Sequence, residues 1–193
     1  MVRQTLLLIC LILPCAQVSA SNLLQDPGFA AGIDPPWAAT QSPSGVSWET
    51  TDEAGAGDSG SLLFVDAGEF GALVSQCVDI SAAAVSRAGY SYLIPADVSP
   101  VFFAPRLFIR YYDQPLCDGD LVDSDDVNPP TPFVQGEWTR FETPVAIQPG
   151  VVSASFAVYF AASGSSNNRA FVDNALFGDP PLFTDRFEAT SLP

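Results

Sequence analysis

The side chains that could do chemistry in this 193-residue chain are carboxylates. Asp and Glu together number 22, against seven basic residues, all of them Arg, and there is no His. Without histidine, a Ser-His-Asp triad, a Cys-His pair and a His-ligated zinc site are excluded. Without lysine, so are a Schiff base and a P-loop lysine. The common catalytic set that survives is a pair of acids, as in glycoside hydrolysis. The acids are densest in residues 117–130, which carry Asp118, Asp120, Asp123, Asp125 and Asp126. An EF-hand loop needs acids at alternating positions, a central glycine and a closing glutamate, and this spacing fails that pattern. The stretch reads as a solvated acidic loop, although oxygen-rich loops also take calcium weakly.

The other reactive side chains are four cysteines, and their fate depends on the first 20 residues. Arg3 provides a positive start, residues 6–13 (LLLICLIL) an apolar run, and Val18-Ser19-Ala20 small residues for a signal peptidase. A cleavable signal peptide ending at Ala20 is expected, with a secreted, periplasmic or cell-surface destination. A lipoprotein is the alternative, but Cys15 follows Leu13-Pro14 and Cys10 lies inside the apolar run. Cleavage removes both and leaves Cys77 and Cys117. An even pair in an oxidising compartment suggests a disulfide, with two buried free thiols as the alternative.

The segment removed holds one Arg and no acid, so the remainder carries a net charge of −16. Such a surface repels phosphate backbones and anionic lipid heads. Neutral sugars and calcium are compatible partners; nucleic acid is not. No later stretch is apolar for long enough to span a bilayer.

The elements that must position these groups read as strands. Short apolar-rich runs at residues 46–51, 61–65, 71–80, 90–96, 106–112, 137–145, 151–160 and 169–177 are separated by Gly, Pro, Ser and Asp. About eight strands fit an all-β, two-sheet antiparallel β-sandwich or jelly roll over residues 21–178, followed by a tail at 179–193. In 151–160, Val152, Ala154, Phe156, Val158 and Phe160 share one face, and Ser153, Ser155, Ala157 and Tyr159 the other. In 106–112, Leu107, Ile109 and Tyr111 alternate with Arg106, Phe108, Arg110 and Tyr112. Both faces carry bulk there, so one can pack while the other binds. Tyr90, Tyr92 and Ile94 share a face assigned to the core.

The motifs also follow an order. The chain past Ala20 opens Asn22-Leu23-Leu24-Gln25-Asp26-Pro27-Gly28-Phe29, followed by Trp37. Gly57 to Leu62 (GDSGSL) leads into a strand, then come Ser75-Gln76-Cys77-Val78 and Glu137-Trp138-Thr139-Arg140-Phe141. Phe171-Val172-Asp173-Asn174-Ala175-Leu176-Phe177 closes the body. Over roughly residues 22 to 178 this resembles the CenC-like jelly-roll carbohydrate-binding modules of secreted bacterial cellulases and xylanases. The family's glutamate after the opening Phe is Ala30 here, a departure at a residue that often serves a structural calcium.

The resemblance implies a glycan ligand and a calcium site built from Asp173 with backbone oxygens and Asp26 or Asp58. The plainer role for Asp173 is bonding to a neighbouring turn. The resemblance also implies stacking of aromatic rings on sugars. Trp37, Trp48, Trp138, Tyr111, Tyr112 and Tyr159 are available, although most aromatics in such a fold are core. Trp37 and Trp138 match positions that often pack. Tyr112 with Arg110, Tyr159 beside its serines, and Trp138 make up the candidate ligand set.

A non-catalytic module binding a neutral polysaccharide or oligosaccharide is therefore expected. The alternatives are a structural or adhesive surface sandwich with no sugar ligand, or a small hydrolase or lyase with two facing acids. The segment 182–188 (LFTDRFE) resembles short endings of exported bacterial proteins. It reads as a packed tail or as a sorting tag.

Overall fold

The computed structural model describes residues 22–33, 35–55, 59–65, 71–80, 85–98, 104–161 and 168–179. The expected signal segment, the 182–188 motif and Asp58 lie outside these residues. Ten strands form two five-stranded antiparallel sheets. They are β1 (Ala38–Gln41), β2 (Val46–Glu49), β3 (Ser61–Val65), β4 (Ala72–Asp79), β5 (Arg87–Leu93), β6 (Arg106–Tyr112), β7 (Leu121–Val127), β8 (Trp138–Pro144), β9 (Ser153–Phe160) and β10 (Arg169–Gly178). One sheet runs β1-β4-β9-β6-β7 and the other β2-β3-β10-β5-β8. This is the jelly-roll sandwich expected, with two strands more than expected. Both additions are edges of the first sheet. β7 lies inside the stretch expected to be an acidic loop, and its backbone pairs with β6 from Leu107↔Val127 to Tyr112↔Leu121.

The alternation of apolar side chains sends one face of each sheet inward. From β9 come Ala154, Phe156, Val158 and Phe160; from β6 Leu107, Ile109 and Tyr111; from β5 Tyr90 and Tyr92. Tyr90 and Tyr92 belong to the other sheet, with Phe64, Val172 and Phe177, and face the residues of β9 and β6. Phe156 touches Phe177 of the other sheet at 6.0 Å between ring centroids, and Phe64 meets Phe160 at 6.2 Å. Trp37 and Phe29 close one end of the core against Phe156. The Trp37 indole N–H finds a partner in the carbonyl of Asp26 at 2.9 Å. Buried Tyr111 donates to the Asp125 carboxylate on β7 at 2.7 Å, so its hydroxyl is satisfied at the sheet edge.

Cys77 and Cys117 form a disulfide with Cα atoms 6.0 Å apart. Cys77 is on β4, and Cys117 ends a 3-10 turn, Pro115–Cys117, between β6 and β7. Because β9 lies between β4 and β6, the bridge carries this turn across the face of β9. There the buried Ser153 hydroxyl donates to Gln114 O at 2.5 Å and accepts from Cys117 N–H at 3.0 Å.

Candidate functional site

The outer face of the first sheet is built from the residues that alternate with its core. The pairing of β4, β9 and β6 lays them out in rungs: Leu73, Tyr159 and Arg106; Ser75, Ala157 and Phe108; Cys77, Ser155 and Arg110. The next rung, Asp79, Ser153 and Tyr112, lies beside the disulfide-bound turn. The middle strand carries its small residues, Ser155 and Ala157, where its neighbour β6 carries Phe108 and Arg110. Small side chains flanked by large ones leave a trough along β9. Its volume is about 410 Å³, and Thr40 and Gln41 of β1 line its far side.

The trough has an aromatic and a polar part. Phe108 and Tyr159 meet edge to face, at 5.5 Å and 88°. The Arg106 guanidinium lies 5.2 Å from the Phe108 ring centroid, and its Nη2 donates to both Asp126 carboxylate oxygens at 2.8 and 2.6 Å. Tyr112 and Arg110 stand further along β6. No Asp or Glu is among the described residues lining the trough.

Of the residues expected to meet ligand, Arg110, Tyr112 and Tyr159 come together here. Trp138 does not join them: it begins β8, at the edge of the other sheet, opposite Leu93. Tyr111 and Trp37 are buried core, and Trp48 is 39% exposed on β2, its indole N–H bonded to Phe29 O. Phe108, Arg106, Ser155 and Thr40 were not among the expected ligand residues. For the first three the available signal was the period of two, since each shares a face with Arg110 or Tyr159.

A second cluster surrounds Asp173. Asn174 has φ 47, and the pairing of β10 with β5 shifts register between Asp173 and Leu176. The opening segment docks on this bulge. Leu23 N–H donates to Phe177 O at 2.8 Å, Ala175 N–H to Pro27 O at 2.9 Å, and the Asn22 side chain bonds Ala175 O and Phe177 N–H. Asp173 is 1% exposed. Burial pushes its pKa up to about 7, and the neighbouring Asp52 carboxyl adds to the rise. Backbone N–H groups of Glu53 and Asn174 donate to it and offset part of the cost. Asp26 spends both carboxylate oxygens on the N–H groups of Ala30 and Ala31, at 2.8 and 2.9 Å. Among the described residues, no group of three or more acids or cysteines is placed to hold a metal ion. None of their helices is long and apolar enough to cross a membrane.

No protein-family model matches the chain. No curated protein matches it either. Solved structures do. The carbohydrate-binding module TmCBM61, in complex with β-1,4-galactotriose, is 19% identical at a TM-score of 0.50, covering 82% of this chain and 99% of that one. The CBM22-1 xylan-binding domain of Paenibacillus barcinonensis Xyn10C is 15% identical at 0.50, covering 83% and 95%. The enzymatically active domain of bacteriophage CBA120 tailspike protein 4 is 15% identical at 0.58, covering 82% of this chain but 21% of that one. At these identities the likeness is one of fold: this chain shares its jelly-roll architecture with carbohydrate-binding modules.

Proposed function

We propose that the protein is an exported, non-catalytic module that binds a polysaccharide or oligosaccharide in the trough over β9. The observation that carries this reading is the trough itself. Aromatic rings (Phe108, Tyr112, Tyr159) stand beside hydroxyls (Ser75, Ser155) and a guanidinium on one sheet face. Rings suit the apolar faces of sugars, and the polar groups suit their hydroxyls. Two proteins of the same fold support it: TmCBM61 forms a complex with β-1,4-galactotriose, and CBM22-1 of Xyn10C is a xylan-binding domain. A catalytic reading would need two facing carboxylates, and none is among the described lining residues.

Retention on cellulose, xylan, galactan, β-glucan and chitin, followed by titration with oligosaccharides, tests the proposal. Binding that is weakened in Phe108→Ala and Tyr112→Ala supports it. A folded protein retained on none of these polymers, and bound by no oligosaccharide, refutes it.

Calcium belongs to the same proposal. Asp173 and Asp52 are crowded carboxylates, and Asn174 and backbone carbonyls supply further hard oxygens. Two acids fall short of a complete cage, so backbone, amide and water oxygens would fill most of the shell. Asp26, engaged with Ala30 and Ala31, contributes through its segment rather than its carboxylate. Bound calcium would hold the opening segment on β10.

A further inference from the structure

Arg110 is the one described arginine without an acidic partner. Arg87 and Arg140 pair with Glu142, Arg106 with Asp126, and Arg169 with Asp97. Arg110 is exposed and lies mid-trough, between Ser155 of β9 and Ser124 of β7. The acids of the neighbouring edge strand are committed elsewhere. Asp126 holds Arg106, Asp125 accepts from Tyr111, and the Asp123 carboxylate accepts from Ser124 N–H. In a chain with acids in such excess, an arginine left unpaired inside a cavity has a planar fork of donors facing the space where a ligand would lie. That fork matches a carboxylate, to which it binds bidentately.

We infer that the trough binds a largely neutral glycan carrying an isolated carboxylate, a uronic acid unit or branch, whose carboxylate docks on Arg110. This rests on the sugar-binding reading above and narrows its ligand class. Two opposing effects set the density of acid groups. The chain's strong net negative charge repels any anion at long range, but charges beyond about 8 Å are largely screened at physiological salt. A single carboxylate at Arg110 escapes most of that repulsion. A polymer charged on every unit brings further carboxylates, and the other described arginines are already paired with acids.

The test titrates the full exported chain, in calcium and at 0.15 M salt, with uronate-bearing oligosaccharides on xylan, galactan and glucan backbones. Each is paired with the same oligosaccharide after reduction of its carboxyl to the alcohol. The expected result is roughly tenfold to hundredfold tighter binding of an acidic member than of its reduced partner. That ratio should fall towards one in Arg110→Gln and be partly kept in Arg110→Lys. A fully charged oligogalacturonide should bind more weakly than the sparsely charged ligand. If both members of every binding pair bind alike, the carboxylate inference is overturned and the sugar-binding reading stands. If no member of any pair binds, both are overturned. The wild-type ratios decide the matter even if a variant fails to fold.

Discussion

Asp173 offers a sharp test of how burial is balanced in this fold. The perturbation is Asp173→Asn, compared with the parent chain across pH in the presence of a chelator. The amide removes the charge and can still donate to Asp52, but its single oxygen can accept only one of the two N–H groups that Asp173 takes on separate oxygens, Glu53 N–H on Oδ2 and Asn174 N–H on Oδ1. Burial raises the Asp173 pKa from 3.8 to about 7, and the Asp52 carboxyl adds to the rise. A raised pKa means that the folded chain keeps a proton the unfolded chain has released. Stability from this group is therefore fully present below about pH 4 and is lost as pH rises towards 7. The shift is about 3 units at 1.36 kcal/mol each, so about 4 kcal/mol at most. Screening around exposed Glu53 and Asn174 reduces it to about 2 kcal/mol or more.

Urea unfolding at pH 4 and pH 8 measures the effect. At pH 4 the Asn variant should be less stable by about 1–3 kcal/mol, the cost of the N–H left facing its NH2 group. Between pH 4 and pH 8 the difference should swing towards the variant by about 2–4 kcal/mol. A difference between the two proteins that does not change with pH in chelator refutes the reasoning. Excess calcium should then raise the parent and leave the variant where it was. A parent indifferent to calcium removes the calcium proposal without touching the pH argument.

Other outcomes follow from the same structure. Replacing Cys77 and Cys117 by Ser should cost about 4 kcal/mol on the chain-entropy model for a 40-residue separation, read as a melting point lower by roughly 8–16 °C. Phe156→Ala, at a fully buried ring between the sheets, should cost about 3–5 kcal/mol in denaturant unfolding. Tyr112→Ala should weaken oligosaccharide binding by roughly tenfold with an unchanged circular dichroism spectrum, as expected for the loss of one stacking ring. Trp138→Ala, on the other sheet, should leave oligosaccharide affinity within about twofold by titration calorimetry, since additive, distant sites couple weakly.

The strands of the sandwich that bury one face were legible because burial enforces a period of two. β9 divides into a buried and an outer face as its alternation predicts, whereas the alternation of β6 leaves open which of its faces packs. The two strands missed, β1 and β7, are edges. An edge strand keeps much of its surface in water and is protected by charge, so β7 (LVDSDDV) carries no apolar alternation and looks like a loop. Phe108 escaped notice because β6 has bulk on both faces. Only the packing of the second sheet decides which face turns outward. Trp138 shows the converse: its type suggested a ligand platform, but nothing local in a sequence says which sheet a strand joins. The disulfide was legible by counting, once the expected cleavage left two cysteines. The Asp52–Asp173 contact was not, because it joins residues 121 apart through the fold alone.

The disulfide also sets how the molecule responds to force. The residues between Cys77 and Cys117 include β5, which belongs to the other sheet, and β6. The covalent ring therefore threads through both layers of the sandwich. If the chain is pulled from its ends while it holds an immobile polymer, the 40-residue separation cannot pay out. At about 3.3–3.6 Å per residue this withholds roughly 130–140 Å of extension. A pulling trace of the oxidised chain should be shorter than that of the reduced chain by that length. The bond would then act as a strain limiter for a protein tethered in flowing surroundings.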